Sequence, residues 1–179
     1  MVLTDTHTHL YSDSFDEDRE EMISRALKNN ITRFFIPAID ASHAQAMYRL
    51  EENHSENVFL MMGLHPTSVK DDYKEELDFV RRELNRRKFY AVGEIGIDLH
   101  WDKSTLETQK NAFRDQIGMA KEHSLPIVIH CRNAFEEIFE ILEEEKGEDL
   151  FGIFHCFTGT MEDAQRAISL NMKLGIRGV

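Results

Sequence analysis

Two hydrophobic periods alternate along the chain. Short apolar runs, typical of buried strands, are followed by longer stretches in which apolar residues recur every three or four positions, as in amphipathic helices. The apolar runs predict seven strands, near residues 2–8, 32–39, 58–64, 89–96, 125–130, 151–156 and 172–176. The helical stretches predict six helices, near residues 16–29, 42–53, 74–87, 105–123, 133–145 and 161–170.

Capping boxes mark two of the predicted helix starts. Ser104 and Glu107 have the spacing of a capping box before the fourth helix, whose apolar face is strongly periodic. Ser14 and Glu17 have the same spacing before the first helix.

The alternation of strands and helices favours a parallel sheet with right-handed crossovers. Seven strands approach a TIM-type barrel, which typically needs about 250 residues. This chain has 179 residues and stops just after the strand pattern near residues 172–176. We therefore predict an α/β fold in which residues 1–179 form a single hydrolase domain. It would be a TIM-type (β/α) barrel with parallel strands, incomplete at the C-terminus because the final strand or strands and the last helix are missing.

Composition narrows the range of functions. The net charge of −12 argues against broad electrostatic capture of nucleic acid. It leaves a nuclease possible, because bound divalent cations change the local field of a site. No apolar run approaches the roughly 20 residues of a membrane helix, so no membrane partner is expected. The two cysteines, Cys131 and Cys156, each follow a histidine, which favours a reduced, cytoplasmic protein over a disulfide framework. Nothing indicates an obligate protein partner.

A histidine or glutamate ends one predicted strand after another. Because the C-terminal ends of parallel strands converge on one face of a barrel, we expect these side chains to meet. Residues at i and i+2 of a strand face the same way, so two histidines near the first strand can bind one ion. A carboxylate within an apolar run is unfavourable unless it is paired or bound to metal. The predicted ligands of a divalent-metal site are His7, His9, Glu94, His130 and His155.

Each of these residues also has a plainer interpretation. His7 and His9 could be hydrogen-bonded residues at a strand end, and Glu94 could pair with a cation from a neighbouring strand. A lone histidine after a buried strand is more often a core residue than a ligand. Imidazole suits zinc, mixed imidazole and carboxylate sites also accept manganese or iron, and magnesium prefers harder oxygen sites.

Other candidates lie near the same strand ends. His65 could contact a substrate phosphate or pack within its loop. Arg132 could hold an anion at the barrel mouth or form a salt bridge at a helix start. Trp101 could stack on a base or anchor its loop. Asp5 could orient a ligand or simply accept hydrogen bonds at a strand end.

Five segments resemble the TatD family of metal-dependent deoxyribonucleases, which is related to the amidohydrolase superfamily. They lie at residues 5–10 (DTHTHL), 63–66 (GLHP), 93–98 (GEIGID), 129–132 (IHCR) and 154–159 (FHCFTG). They occur in the family's order and span nearly the whole chain. The resemblance implies a TIM-type barrel that hydrolyses phosphodiester bonds in DNA.

The resemblance also implies a role for each ligand. His7 and His9 would bind one ion, Glu94 would bridge to a second, and His130 and His155 would complete the second. The two divalent ions would be zinc, manganese or magnesium. The family has a further aspartate ligand beyond the last residue of this chain, so we expect the ion at His7 and His9 to bind more weakly.

These inferences converge on a two-metal hydrolase with DNA as substrate. Glu94 and Arg132 would take part in catalysis, and His65 and Arg132 would contact the substrate. Two alternatives stay open: a related barrel hydrolase acting on a small amide, ester or lactone, and a truncated, non-catalytic metal-binding protein.

Overall fold

The computed structural model describes residues 1–176 and contains every predicted strand and helix. The strands are β1 (Leu3–Asp5), β2 (Ile31–Ile36), β3 (Val58–Leu60), β4 (Val92–Asp98), β5 (Ile127–Arg132), β6 (Gly152–Phe154) and β7 (Met172–Leu174). The helices are α1 (Arg19–Lys28), α2 (Ala44–Asn53), α3 (Tyr73–Arg86), α4 (Leu106–Glu122), α5 (Phe135–Glu144) and α6 (Met161–Ser169).

All paired strands are parallel, and they follow one another in chain order. One sheet has the order β1-β2-β3 and the other β4-β5-β6-β7. An isolated bridge between Met62 and Val92 joins them, so the strands continue as one surface. This arrangement confirms the predicted α/β fold with a parallel, barrel-like sheet. Within residues 1–176, β1 and β7 are not paired with each other, so the sheet is not closed into a barrel.

The centre of the sheet carries the core. All seven residues of β4 are buried, and β4 pairs with β5 along almost its whole length. Phe113 and Ile117 of α4 are fully buried on one side of the sheet. None of the helices in the described part of the chain is long and apolar enough to cross a membrane.

Two glycines set the close approach of β4 to β5. A Cβ atom at Gly93 would lie 2.6 Å from the Cβ of Val128, and one at Gly96 would lie 2.1 Å from the carbonyl oxygen of His130. Gly96 also has a φ of +136°, a conformation that L-residues rarely adopt. Both positions therefore need glycine to hold these strands in register around Glu94.

Both predicted capping boxes are wrong. Helix α4 begins after Thr105, and Ser104 instead bonds to the Asp102 carboxylate through its amide and hydroxyl. Helix α1 begins after Asp18, and Ser14 belongs to a short 3₁₀ turn. In both places a local side-chain-to-backbone turn competes with the helix start. A capping box does occur at α6, between Thr160 and Asp163.

Candidate metal centre

A cavity of about 610 Å³ lies at the C-terminal ends of the strands. It contains every residue predicted as a metal ligand, together with His65. The side chains concerned are those of His7, His9, His65, Glu94, His130 and His155.

Glu94 contacts histidines from several parts of this cavity. It is 3% exposed and lies within β4, where the register with β5 shifts between Gly93 and Ile95. Its Oε2 lies 3.1 Å from Nε2 of His7 and 3.7 Å from Nε2 of His9. Its Oε1 lies 3.1 Å from Nδ1 of His130. The two carboxylate oxygens thus face different histidines.

Two groups of three potential ligands share this carboxylate. Within residues 1–176, the groups whose ligand atoms lie within 4.8 Å of one another are His7, His9 and Glu94, and His65, Glu94 and His130. We call them the first and second ligand groups. The second contains His65, which the sequence suggested as a substrate contact, in the position expected for His155.

The first group follows β1. The Tyr11 hydroxyl donates to the carbonyl oxygen of Pro37 at 3.1 Å, so it accepts a hydrogen bond from Nδ1 of His9 at 2.9 Å. This pairing assigns the proton of a neutral His9 to Nδ1 and leaves a lone pair on Nε2, which faces the Glu94 carboxylate. The amide of His7 donates to Asp5, which holds the turn after the strand.

The second group lies at the centre of the sheet. His130, near the end of β5, contacts Glu94 through Nδ1 and Asp98 through Nε2, the latter at 2.8 Å. Nε2 of His65 lies 3.2 Å from Nδ1 of His130. His130 is therefore held between two carboxylates.

The protonation of these residues reflects burial and close charge. Burial alone would raise the pKa of Glu94, but hydrogen bonds from His130 and His7 outweigh it and hold this pKa well below its ordinary value. Burial lowers the pKa of His65 to about 4, so its ring is neutral at pH 7. Burial also disfavours a charged His130, yet Glu94 and Asp98 raise the pKa of this residue above its ordinary value.

His155 occupies a different position from the one expected. It follows β6, and its ring stacks on the ring of His7 with the centroids 3.4 Å apart. The structure thus brings it to the first ligand group rather than beside His130. Its predicted role as a metal ligand stays a prediction.

The residues of the cavity fit a divalent cation. In the first group, imidazole nitrogens at 3.1 and 3.7 Å face a single carboxylate oxygen. Nitrogen and carboxylate donors of this kind suit zinc or manganese.

Arg132 and Trp101 do not line this cavity, but they lie near each other, at the end of β5 and in the loop after β4. Arg132 ends β5 and is exposed, and the structure records no ion pair for it within residues 1–176, so the alternative of a salt bridge at the helix start finds no support. Its guanidinium carbon lies 5.5 Å from the centre of the Trp101 ring.

Two contributing residues were not identified from the sequence. Asp98 lies beyond the strand predicted near residues 89–96, but in the structure it ends β4 and contacts His130. It lies four residues after Glu94, so the period of two along a strand could have placed both on one face. Tyr11 gave no such signal, because its contact with His9 forms in a turn.

A parallel β/α sheet with a His and Glu cluster at its strand ends defines a barrel hydrolase with a candidate metal centre. Residues 4–179 match the model of a protein family described as "TatD related DNase". The chain therefore belongs to the TatD-related DNase family of metal-dependent hydrolases, as the sequence motifs indicated.

Individual relatives agree with this placement. The chain is 39% identical over 178 residues to the "uncharacterized metal-dependent hydrolase YabD" of Bacillus subtilis, covering 99% of this chain and 69% of YabD. It is 30% identical over 174 residues to the "3'-5' ssDNA/RNA exonuclease TatD" of Pantoea ananatis, covering 97% of this chain and 67% of that protein.

A solved structure shows the same fold. The crystal structure of YjjV, a TatD homologue from Escherichia coli, superimposes with a TM-score of 0.88 at 29% identity, covering 96% of this chain and 66% of YjjV. The chain thus spans about two thirds of the length of the relatives it matches.

Proposed function

We propose that this protein hydrolyses phosphodiester bonds in DNA with the help of two divalent ions. The observation that carries the proposal is the position of Glu94, whose Oε2 faces His7 and His9 and whose Oε1 faces His130. A carboxylate shared in this way is suited to bridge two ions. The exonuclease name of the Pantoea relative supports a nucleic-acid substrate.

The ligand groups divide the work of holding the ions. His7, His9 and Glu94 would hold one, and Glu94 with His130 the other, with His65 or His155 completing a group. When bound, two such ions polarise the phosphoryl group, lower the pKa of a water and stabilise the leaving oxygen. Zinc, manganese and magnesium are the candidates.

The protein's own side chains would orient these ligands and the substrate. The Tyr11 hydroxyl fixes the ring of His9, and the Asp98 carboxylate fixes the ring of His130. Arg132, exposed at the end of β5, would hold a phosphate oxygen through its guanidinium. His65 is neutral because of its low pKa, and it could bind an ion through Nε2 in the tautomer whose Nδ1–H donates to the Thr67 hydroxyl.

The test is a comparison of substrates on one preparation. We expect the metal-loaded protein to cleave a plain DNA oligonucleotide and to leave a panel of small amides, esters and lactones intact. Cleavage of the panel alone would favour the alternative barrel hydrolase. Bound metal without cleavage of any substrate would favour a non-catalytic metal-binding protein. A metal count on the same sample distinguishes a missing ion from a missing activity.

Several expectations accompany this proposal. We propose that residues 1–179 act as one hydrolase domain, without an obligate protein partner and in the cytoplasm. Size-exclusion chromatography with light scattering tests the first two points, and fractionation of cells tests the third.

A further inference from the structure

Trp101 has a large apolar side chain that is exposed to solvent. It is 73% exposed, in the loop that follows β4. An aromatic residue that anchors its loop would instead be packed against the core. One contact is with the adjacent His100, at 4.7 Å between ring centres, and another is with the Arg132 guanidinium. The exposed ring therefore needs an explanation other than anchoring.

Trp101 also borders a second pocket, of about 430 Å³. This pocket is next to the metal centre, because Asp98 lines it and also contacts His130. On another side it is lined by Pro66 and Thr67, which directly follow His65. A group bound in the pocket would thus be separated from His130 of the second ligand group by the side chain of Asp98.

The charges around the pocket indicate what it would accept. Its lining includes the carboxylates of Asp71, Asp98 and Asp102 against the single ammonium of Lys70. A phosphate in the pocket would be repelled by this excess of negative charge, whereas a neutral base would not. Arg132 lies beside Trp101, where the phosphate on the sugar of the same nucleotide could be held.

We propose that Trp101 and Arg132 form a subsite for an unpaired nucleobase beside the phosphate to be cleaved. The base would stack on the Trp101 ring and enter the second pocket, and Arg132 would hold the adjoining phosphate. Stacking on an exposed aromatic ring is tolerant of base identity, so this subsite would contribute binding energy from an unstacked base without reading a particular sequence. This inference rests on the proposed nuclease function and deepens it.

Binding can be read directly, because Trp101 is the single tryptophan of the chain. The probe is a thymidine trimer, compared with a trimer of abasic sugars that carries the same phosphates. Tryptophan fluorescence is titrated with each, once with a chelator and once with a divalent ion. We expect saturable quenching by the thymidine trimer and little change with the abasic one. Equal responses to both trimers, or no base-dependent change in either condition, would overturn the subsite.

The functional test measures KM and kcat for the unaltered chain and for Trp101→Ala, each with DNA that carries its bases and with abasic DNA. For the unaltered chain, we expect loss of the bases to raise KM about 5- to 20-fold with little change in kcat. In Trp101→Ala, the two substrates should have nearly the same KM, and Trp101→Phe should restore part of the difference. The matched control is Ile168→Ala, which removes another exposed apolar side chain from α6.

The outcomes separate this subsite from the nuclease function itself. Cleavage that is insensitive to the bases and to Trp101→Ala would refute the subsite and leave the nuclease proposal standing. Base-dependent quenching without cleavage of any DNA would support the subsite and refute the nuclease proposal for this chain.

Discussion

The two ligand groups share Glu94 but differ in how the fold supports them. The first depends on β1, a three-residue strand at the edge of the sheet with two exposed positions and one partly buried. The second depends on His130 in β5, whose first three residues are buried and which pairs with strands on both sides. A ligand on a packed central strand is held more precisely, so we expect the second group to bind its ion more tightly.

The groups also differ in their electrostatics. His130 contacts two carboxylates, those of Glu94 and Asp98. His9 contacts Glu94 and, on its other side, an uncharged hydroxyl. A carboxylate behind a ligating histidine makes the ring a stronger ligand. The comparison therefore predicts which substitutions affect one group and which affect both.

The largest effect is expected from Glu94→Gln, because this change removes the charge that both groups share. Metal should be lost from both, and DNA cleavage should fall by at least about a hundredfold. The comparison variant is His65→Ala, which we expect to lose less metal and less activity. Metal analysis and a cleavage assay are run on both variants. Full metal occupancy in Glu94→Gln would refute the shared carboxylate.

Asp98→Asn should weaken the second group alone. The side chain keeps its size but loses the charge that supports His130, and we expect metal affinity at this group to fall about 10- to 100-fold. Calorimetric titration with zinc should then show one weakened class of site. Asp102→Asn is the control, since this exposed carboxylate lies in the next loop and bonds to Ser104. Equal losses in the two variants would mean that the effect is not specific to His130.

Acid should release metal from the second group. The carboxylates raise the pKa of His130, so its protonated form persists to higher pH than that of an ordinary histidine. Only the neutral ring binds a metal, so proton and ion compete, and affinity should fall as pH falls through this pKa. Metal content after dialysis from pH 8 to pH 5 measures the effect. Retention of both ions at pH 5 would contradict it.

The smallest effect is expected from Tyr11→Phe, which removes an uncharged partner of His9. Zinc affinity of the first group should fall by about tenfold or less, with the second group unchanged. Tyr73→Phe, at the start of α3, is a control for the loss of a hydroxyl elsewhere. If Tyr11→Phe weakened binding more than Asp98→Asn, the ranking of the two groups would be reversed.

The strands and helices were predictable because each has a local periodic pattern of apolar residues. The apolar run before His130 and the periodic face that contains Phe113 and Ile117 are examples. Helix starts were less predictable, because the Asp102 carboxylate competes for Ser104. Strand ends also indicated which side chains would meet in the cavity.

The partners within the cavity could not be deduced in the same way. The contact of Asp98 with His130 depends on the register between β4 and β5, with its shift beside Glu94. The stacking of His155 on His7 joins residues from opposite ends of the chain. Such contacts arise from tertiary packing, on which local periodicity carries no information.

The position of β1 at the sheet edge has a consequence for local opening. Among residues 1–176 its backbone pairs on one side only, with β2, and most of its side chains are exposed. Amides of this strand should exchange with solvent through small openings, whereas those of β4 and β5 should exchange only in larger unfolding events. An ion at His7 and His9 would tie the strand to Glu94 and slow its exchange. The protection of the β1 amides would thus report on occupancy of the first ligand group, residue by residue, without any substrate.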